Sequence, residues 1–244
     1  MDYQIHSYNK ESIWNAKIES INKVAWPQFI QGEKVMRSYW GFMLGVFNDF
    51  QWVLTKNDMV IAVINSAPFK LGESDTLHEN GIYWGLQQVT HNYYADIMPN
   101  TLLALQIVVN PQFRGKAVSY ECLKVLKHQA YEKGFERIVI PLRPSLKHLY
   151  PLIDSGSYIN WKNWEGYPYD PWLRVHIKGG GKIVKQCKGI SIRASIQEWE
   201  LWTGLHFATS GQYIVQGALN PVYADLSNNM AYYTQDNIWV VHWL

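Results

Sequence analysis

The sequence predicts an α/β chain, with helices and strands mixed along its length and a β-rich C-terminal part. Apolar residues recur at helical spacing in several segments, and near-continuous apolar runs of strand length lie between them. Beyond residue 158 the texture turns to aromatics, glycines and short strand-like runs.

The elements follow in order. Residues 3–7 read as a short strand. From Ser12, the spacing of Trp14, Ile18, Ile21 and Ala25 predicts a helix that Pro27 stops. A second helix is predicted over 33–47, with Val35, Met36, Tyr39, Trp40, Met43 and Val46 on one face. Two strands, 51–54 and 59–64, flank a turn at Lys56-Asn57-Asp58. Ile82, Leu86, Val89, Tyr93 and Ile97 repeat at steps of three and four and predict a helix ending before Pro99.

Residues 102–109 form a near-continuous apolar run, the pattern of a strand buried on both faces. After a turn at Asn110-Pro111, residues 118–133 predict an amphipathic helix with Val118, Cys122, Val125, Leu126 and Ala130 inward, and Gly134 suits its C-terminal end. Residues 137–142 are another apolar strand, and a short helix is expected from Ser145. In the tail, Gly179-Gly180-Gly181 marks a bend, and 182–185 and 190–194 look like strands. Ser195 and Glu198 form a capping box for a helix through Trp202, and three short strands are expected over 213–244 with a turn at Asn228-Asn229.

A chain of 244 residues suits one large domain or a domain with an appendage. At 48% hydrophobic it can build a core, and 15% aromatic, with 12 Trp, adds either dense packing or an apolar cleft for an elongated ligand. The 22 basic and 20 acidic residues are interspersed, and the net charge of +2 provides no track for a phosphate backbone. Cys122 and Cys187 form no CxxC and no disulfide framework. Neither a basic-then-apolar leader nor a bilayer-length apolar run is visible, and the expectation is a soluble cytoplasmic protein. The eight histidines show no HxH or HExxH spacing, so no metal is expected, and there is no GxSxG elbow.

Chemistry concentrates in Gln112-Phe113-Arg114-Gly115-Lys116-Ala117, set between an apolar strand and an amphipathic helix. A helix start leaves amide N–H groups without internal partners, and its dipole favours negative charge. Small residues at 115 and 117 let an anion approach the backbone, and Arg114 and Lys116 add positive charge.

Gln112-x-x-Gly115-x-Ala117 in this setting resembles the acyl-CoA signature of the GNAT N-acyltransferase superfamily, and the flanking order of elements is similar as well. The resemblance covers roughly the first two-thirds of the chain. It implies a central mixed, largely antiparallel sheet flanked by helices in a domain over 1–168, with residues 169–244 as a β-rich extension packed on it. It implies acyl-CoA or acetyl-CoA as co-substrate and a primary amine as acceptor, on a small molecule or a Lys-like side chain. The pantetheine arm is expected along Ile107, Val108 and Val109, the diphosphate at the N–H groups of 113–117, and further phosphate contacts from Arg143 and Lys147.

An alkyl amine with pKa near 10 is neutral in about one molecule in a thousand at pH 7, so a proton route helps. Where the superfamily often has a Glu on the signature strand, this chain has Gln106, which cannot take a proton. Gln106 is left to order a water or to serve as a buried amide. The resemblance makes Tyr150 the acid for the leaving thiolate, and His148 is a base candidate because imidazole titrates near neutrality. Asp170, His176 and Glu198 are more distant candidates. The alternative reading is a GNAT-fold module that binds CoA or a protein without turnover, and the tail is open to two readings, an interaction or dimerisation surface or a lid completing the substrate cleft.

Overall fold

The computed structural model of the chain describes residues 3–72 and 76–244. In chain order its elements are β1 (Gln4–Ser7), α1 (Asn15–Ala25), α2 (Gln28–Gln31), α3 (Lys34–Val46), β2 (Gln51–Lys56), β3 (Met59–Phe69), α4 (Gly81–Tyr94), β4 (Thr101–Val109), α5 (Val118–Glu132), β5 (Arg137–Leu142), α6 (Ser155–Ile159), α7 (Pro171–Lys178), β6 (Lys182–Ser195), α8 (Ile196–Thr203), β7 (Gly211–Tyr213), β8 (Val222–Asp225) and β9 (Met230–Trp243).

The strands form one mixed sheet in the order β1-β2-β3-β4-β5-β9-β8-β7, with β6 paired to the free side of β9. Among the described residues, β4 with β5 is the one parallel pairing. The fold class read from the sequence is the observed one: a mixed, largely antiparallel sheet with helices packed on it.

Local chemistry accounts for most helix ends. Pro27 forces Trp26 to an extended ψ of 136°, which stops α1. The Glu33 carboxylate accepts from the amides of Val35 and Met36 and opens α3. The capping box at Ser195 and Glu198 forms as predicted and starts α8.

Four expectations are corrected. The helix predicted from Ser145 is a single 3-10 turn over Lys147–Leu149, because Pro144 and Pro151 bracket the segment and Pro151 holds Tyr150 out of helical geometry. Helix α7 was missed, although Asp170 followed by Pro171 is a cap-and-N1 signal. The runs at 182–185 and 190–194 belong to one 14-residue strand, β6, whose register shifts between Ile183 and Lys185 and again between Lys188 and Ser191.

The fourth correction concerns the tail as a packed extension. Its last strand, β9, lies directly against β5, pairing Arg137 with Trp243 through to Leu142 with Ile238. The two sides of the expected 168/169 boundary therefore share one sheet, and the last strand's Ile238, Trp239 and Val240 are fully buried.

Strand β4 is covered on both faces. Leu102, Ala104, Ile107 and Val109 pack with Val118, Cys122 and Leu126 of α5, whereas Val108 packs with Tyr8 and with Ile18 and Ile21 of α1. The change from even to odd numbering on the α5 face has a structural cause. Opposite Asn65 and Ser66 the register jumps from Gln106 to Ala104, so Leu105 is an extra, bulged residue. The bulge moves Gln106 to the α1 face, with Val108. Among the described residues no helix is long and apolar enough to cross a membrane.

Candidate active site

Parallel pairing of β4 with β5 covers only Thr101–Leu103 against Arg137–Val139. Past that point the two strands part, and the β5-facing edge of β4 from Ala104 to Val109 has no ladder partner among the described residues. Leu105, Gln106 and Ile107 regain partial exposure there, after four buried residues. An open strand edge of this kind is a template for an extended, amide-bearing ligand.

The loop after β4 leads to the same end of the sheet. A 3-10 turn over Pro111–Phe113, opened by Asn110 accepting from the Gln112 amide, brings the chain to the start of α5. Gly115 takes φ +76° and Ala117 φ +57°, both left-handed. Ala117 caps α5 without a side-chain hydrogen bond. The amides of Phe113 and Arg114 already donate to Asn110 O and Pro111 O. Those of Gly115, Lys116, Ala117, Val118 and Ser119 have no acceptor among the described residues. The free row is thus 115–119, displaced two residues along the chain from the expected 113–117.

The surroundings suit an anion. Gln112, Arg114, Gly115, Lys116 and Ala117 are exposed. A Cβ built on Gly115 would meet nothing within 4 Å, so open space lies in front of the free amides. Phe113 packs into the α5-side core and Lys116 Nζ lies 5.3 Å from the centroid of its ring. Neither Arg114 nor Lys116 forms an ion pair among the described residues, leaving both charges available.

Other predicted residues fall elsewhere. Lys147 is fully buried, and its ammonium donates to Tyr150 O at 3.0 Å and Leu219 O at 2.7 Å. Burial lowers its pKa. Arg143 donates to Gln235 Oε1 at 3.1 Å and to Gly217 O at 2.5 Å, and burial lowers its pKa too. Both cations are engaged by the C-terminal part of the chain, Lys147 and Arg143 by the segment between β7 and β8 and Arg143 also by Gln235 of β9, and neither remains free for a phosphate.

Tyr150 sits half-buried in an aromatic cluster with Tyr158, Trp161 and Tyr169, its hydroxyl 2.9 Å from that of Tyr169. That hydrogen bond raises its pKa, so the phenol holds its proton. His148, also half-buried, lies two residues before it. The remaining candidates are structural. The buried Asp170 carboxylate accepts from Ser145, Tyr158 and the amides of Leu146, Trp172 and Leu173, Glu198 belongs to the capping box, and His176 pairs with His242 inside the core.

Sequence reasoning missed the polar group beneath Gln106. Gln106 donates to Asn65 at 2.7 Å, and Asn65 in turn bonds Gln51 and Tyr8. The signal was present in Asn65, which with Ser66 places two adjacent polar side chains inside an apolar strand run.

A splayed parallel strand pair beside a row of free helix-start amides is the kind of arrangement that the resemblance to the GNAT superfamily leads one to expect. The arginine N-acetyltransferase avaD of Aspergillus versicolor is 32% identical over 246 positions, spanning 89% of this chain and 84% of that one. The loading GNATL domain of CurA from Lyngbya majuscula aligns over 100% of this chain and 98% of its own at TM-score 0.64 and 15% identity. The GphF GNAT-like decarboxylase in complex with isobutyryl-CoA aligns over 100% and 99% at TM-score 0.62 and 14% identity. No family model matches the chain. The two solved structures support the fold, and the sequence relative decides the class. The chain belongs to the GNAT superfamily and is an acyl-CoA-dependent N-acyltransferase.

Proposed function

We propose that the acyl group is acetyl, that the acceptor is arginine or a similar cationic amine, and that acyl-CoA binds at the 115–119 amides with its arm along Ile107 to Val109. The observation that carries the binding part is the unpaired edge of β4 running toward five unpaired amides. Acetyl and arginine are supported by the sequence relative, an arginine N-acetyltransferase.

In this reading the diphosphate receives N–H groups from Gly115 to Ser119, with Arg114 and Lys116 adding charge and Gln112 bordering the loop. The dipole alone contributes about 0.3–2 kcal/mol, so several amides must act together. The neutral amine attacks the thioester carbonyl, a C–N bond forms, the C–S bond breaks, and the thiolate needs a proton. Tyr150 supplies it, supported by a phenol held protonated by Tyr169. Gln106 cannot accept the amine's proton, which leaves His148 or solvent for that step. Two unpaired, buried cysteines support a reducing, cytoplasmic location.

The experiment is thiol release with acetyl-CoA, comparing arginine, agmatine, lysine and neutral amines. Release with arginine is the expected result. CoA binding by calorimetry with no release across the panel would instead establish a binding module.

A further inference from the structure

The amides of Gln51, Asn65 and Gln106 form a chain with one possible direction. Both Nε2 hydrogens of Gln51 go to backbone carbonyls, Phe47 O and Ser66 O, each at 2.8 Å. A carbonyl only accepts, so Gln51 is held with Oε1 as its remaining group. That oxygen takes Asn65 Nδ2 at 2.7 Å, and the other Asn65 hydrogen goes to the Tyr8 hydroxyl. With both hydrogens engaged, Asn65 has only Oδ1 to offer, and it receives Gln106 Nε2 at 2.7 Å.

Reversing any of these amides would set oxygen against oxygen. Gln51 is 0% exposed, Asn65 1% and Tyr8 5%, so such a clash would be unrelieved by water. Burial also pushes the Tyr8 phenol up to about 12, which keeps it neutral. The direction is therefore transmitted from two backbone carbonyls to the half-exposed Gln106, whose Oε1 has no partner among the described residues. Gln106 stands where β4 has lost β5, on the α1 face to which the bulge at Leu105 has moved it.

We propose that Gln106 Oε1 accepts an N–H of the acceptor amine, with Asn65 and Gln51 as positioning residues that keep the oxygen outward. The proposal rests on the reading of the acceptor as a cationic amine. Ammonium and guanidinium groups only donate hydrogen bonds, so an outward oxygen receives them and disfavours a carboxylate at the same point. A neutral amide also has a kinetic advantage over a carboxylate. It holds the N–H without adding a negative charge that would keep the amine in its protonated, non-nucleophilic form.

The test titrates L-arginine into protein saturated with CoA, so binding is read without turnover. Gln106→Leu is expected to weaken arginine about ten- to a hundredfold, the range for a hydrogen bond to a charged group, with CoA affinity within about twofold of native. Asn65→Leu should show the same selective loss of arginine. Gln106→Glu should bind arginine at least as well, and should move the acid limb of kcat/KM to higher pH, an effect that a purely structural role would not produce. Unchanged arginine binding in Gln106→Leu, an equal loss of CoA, or a superimposable pH profile in Gln106→Glu would each overturn the proposal, as would a native protein that binds no cationic amine. Native protein that binds arginine through Gln106 yet releases no thiol would refute acetyl transfer and leave the amide contact standing.

Discussion

His176 Nδ1 lies 2.9 Å from His242 Nε2, and both rings are withdrawn from solvent where α7 meets the end of β9. The outer nitrogens, His176 Nε2 and His242 Nδ1, have no partner among the described residues. Burial depresses both basicities, His242 to about 4 with Lys127 adding to the effect, and His176 well below its ordinary value with His242 adding to it.

The pair makes stability depend on pH. An unfolded His binds its proton near 6.5, whereas the folded His242 does so only near 4. The unfolded chain therefore carries more protons in between. Stability is complete above about 6.5 and falls as pH drops toward 4. At pH 5 the loss from His242 alone is about 2 kcal/mol relative to pH 7.5. Urea unfolding across this range should show the slope, and replacing both histidines by leucine should flatten it. A flat native profile would contradict the burial of a neutral pair.

Gly81 is the glycine whose replacement should cost the most stability. It sits at φ +52°, and an added Cβ would fall 1.9 Å from Lys188 O, a backbone atom that cannot swing aside. Gly81→Ala is expected to destabilise by about 2–4 kcal/mol through forced movement of β6 against α4. A shift in the urea midpoint checks it.

Gly115→Glu should act on binding instead. No neighbour meets its Cβ, so the fold bears only the strain of a left-handed residue, about 1–2 kcal/mol. The new carboxylate would occupy the space before the free amides and repel a diphosphate. At least a tenfold rise in the CoA Kd by calorimetry is expected, with a melting temperature only a few degrees lower.

Lys147 and Tyr150 separate structure from chemistry. Lys147→Met leaves Tyr150 O and Leu219 O without their donor, so stability should drop about 1–3 kcal/mol while CoA affinity changes by less than about twofold. Tyr150→Phe keeps the ring packing against Trp161 and removes the acid. Thiol release should fall about 100-fold or more, with the KM for acetyl-CoA little changed.

What could be read without coordinates was local. Helical periodicity set α1, α3, α4 and α5, Pro27 and the Ser195 cap set boundaries, and the small residues at 115 and 117 marked the loop where the chain passes through left-handed geometry. These features depend on residues within a few positions of one another, so spacing alone reports them.

What the sequence by itself determined, then, is the strand-loop-helix unit from β4 to α5 and the family that unit signals. Only the tertiary structure decided that β4 parts from β5 after Leu103, that a bulge turns Gln106 to the α1 face, that Lys147 and Arg143 are bonded to the C-terminal part of the chain, and that β9 enters the central sheet. Each of those depends on pairing between residues far apart in the chain, and a shift of one position in such pairing changes which face every following side chain occupies.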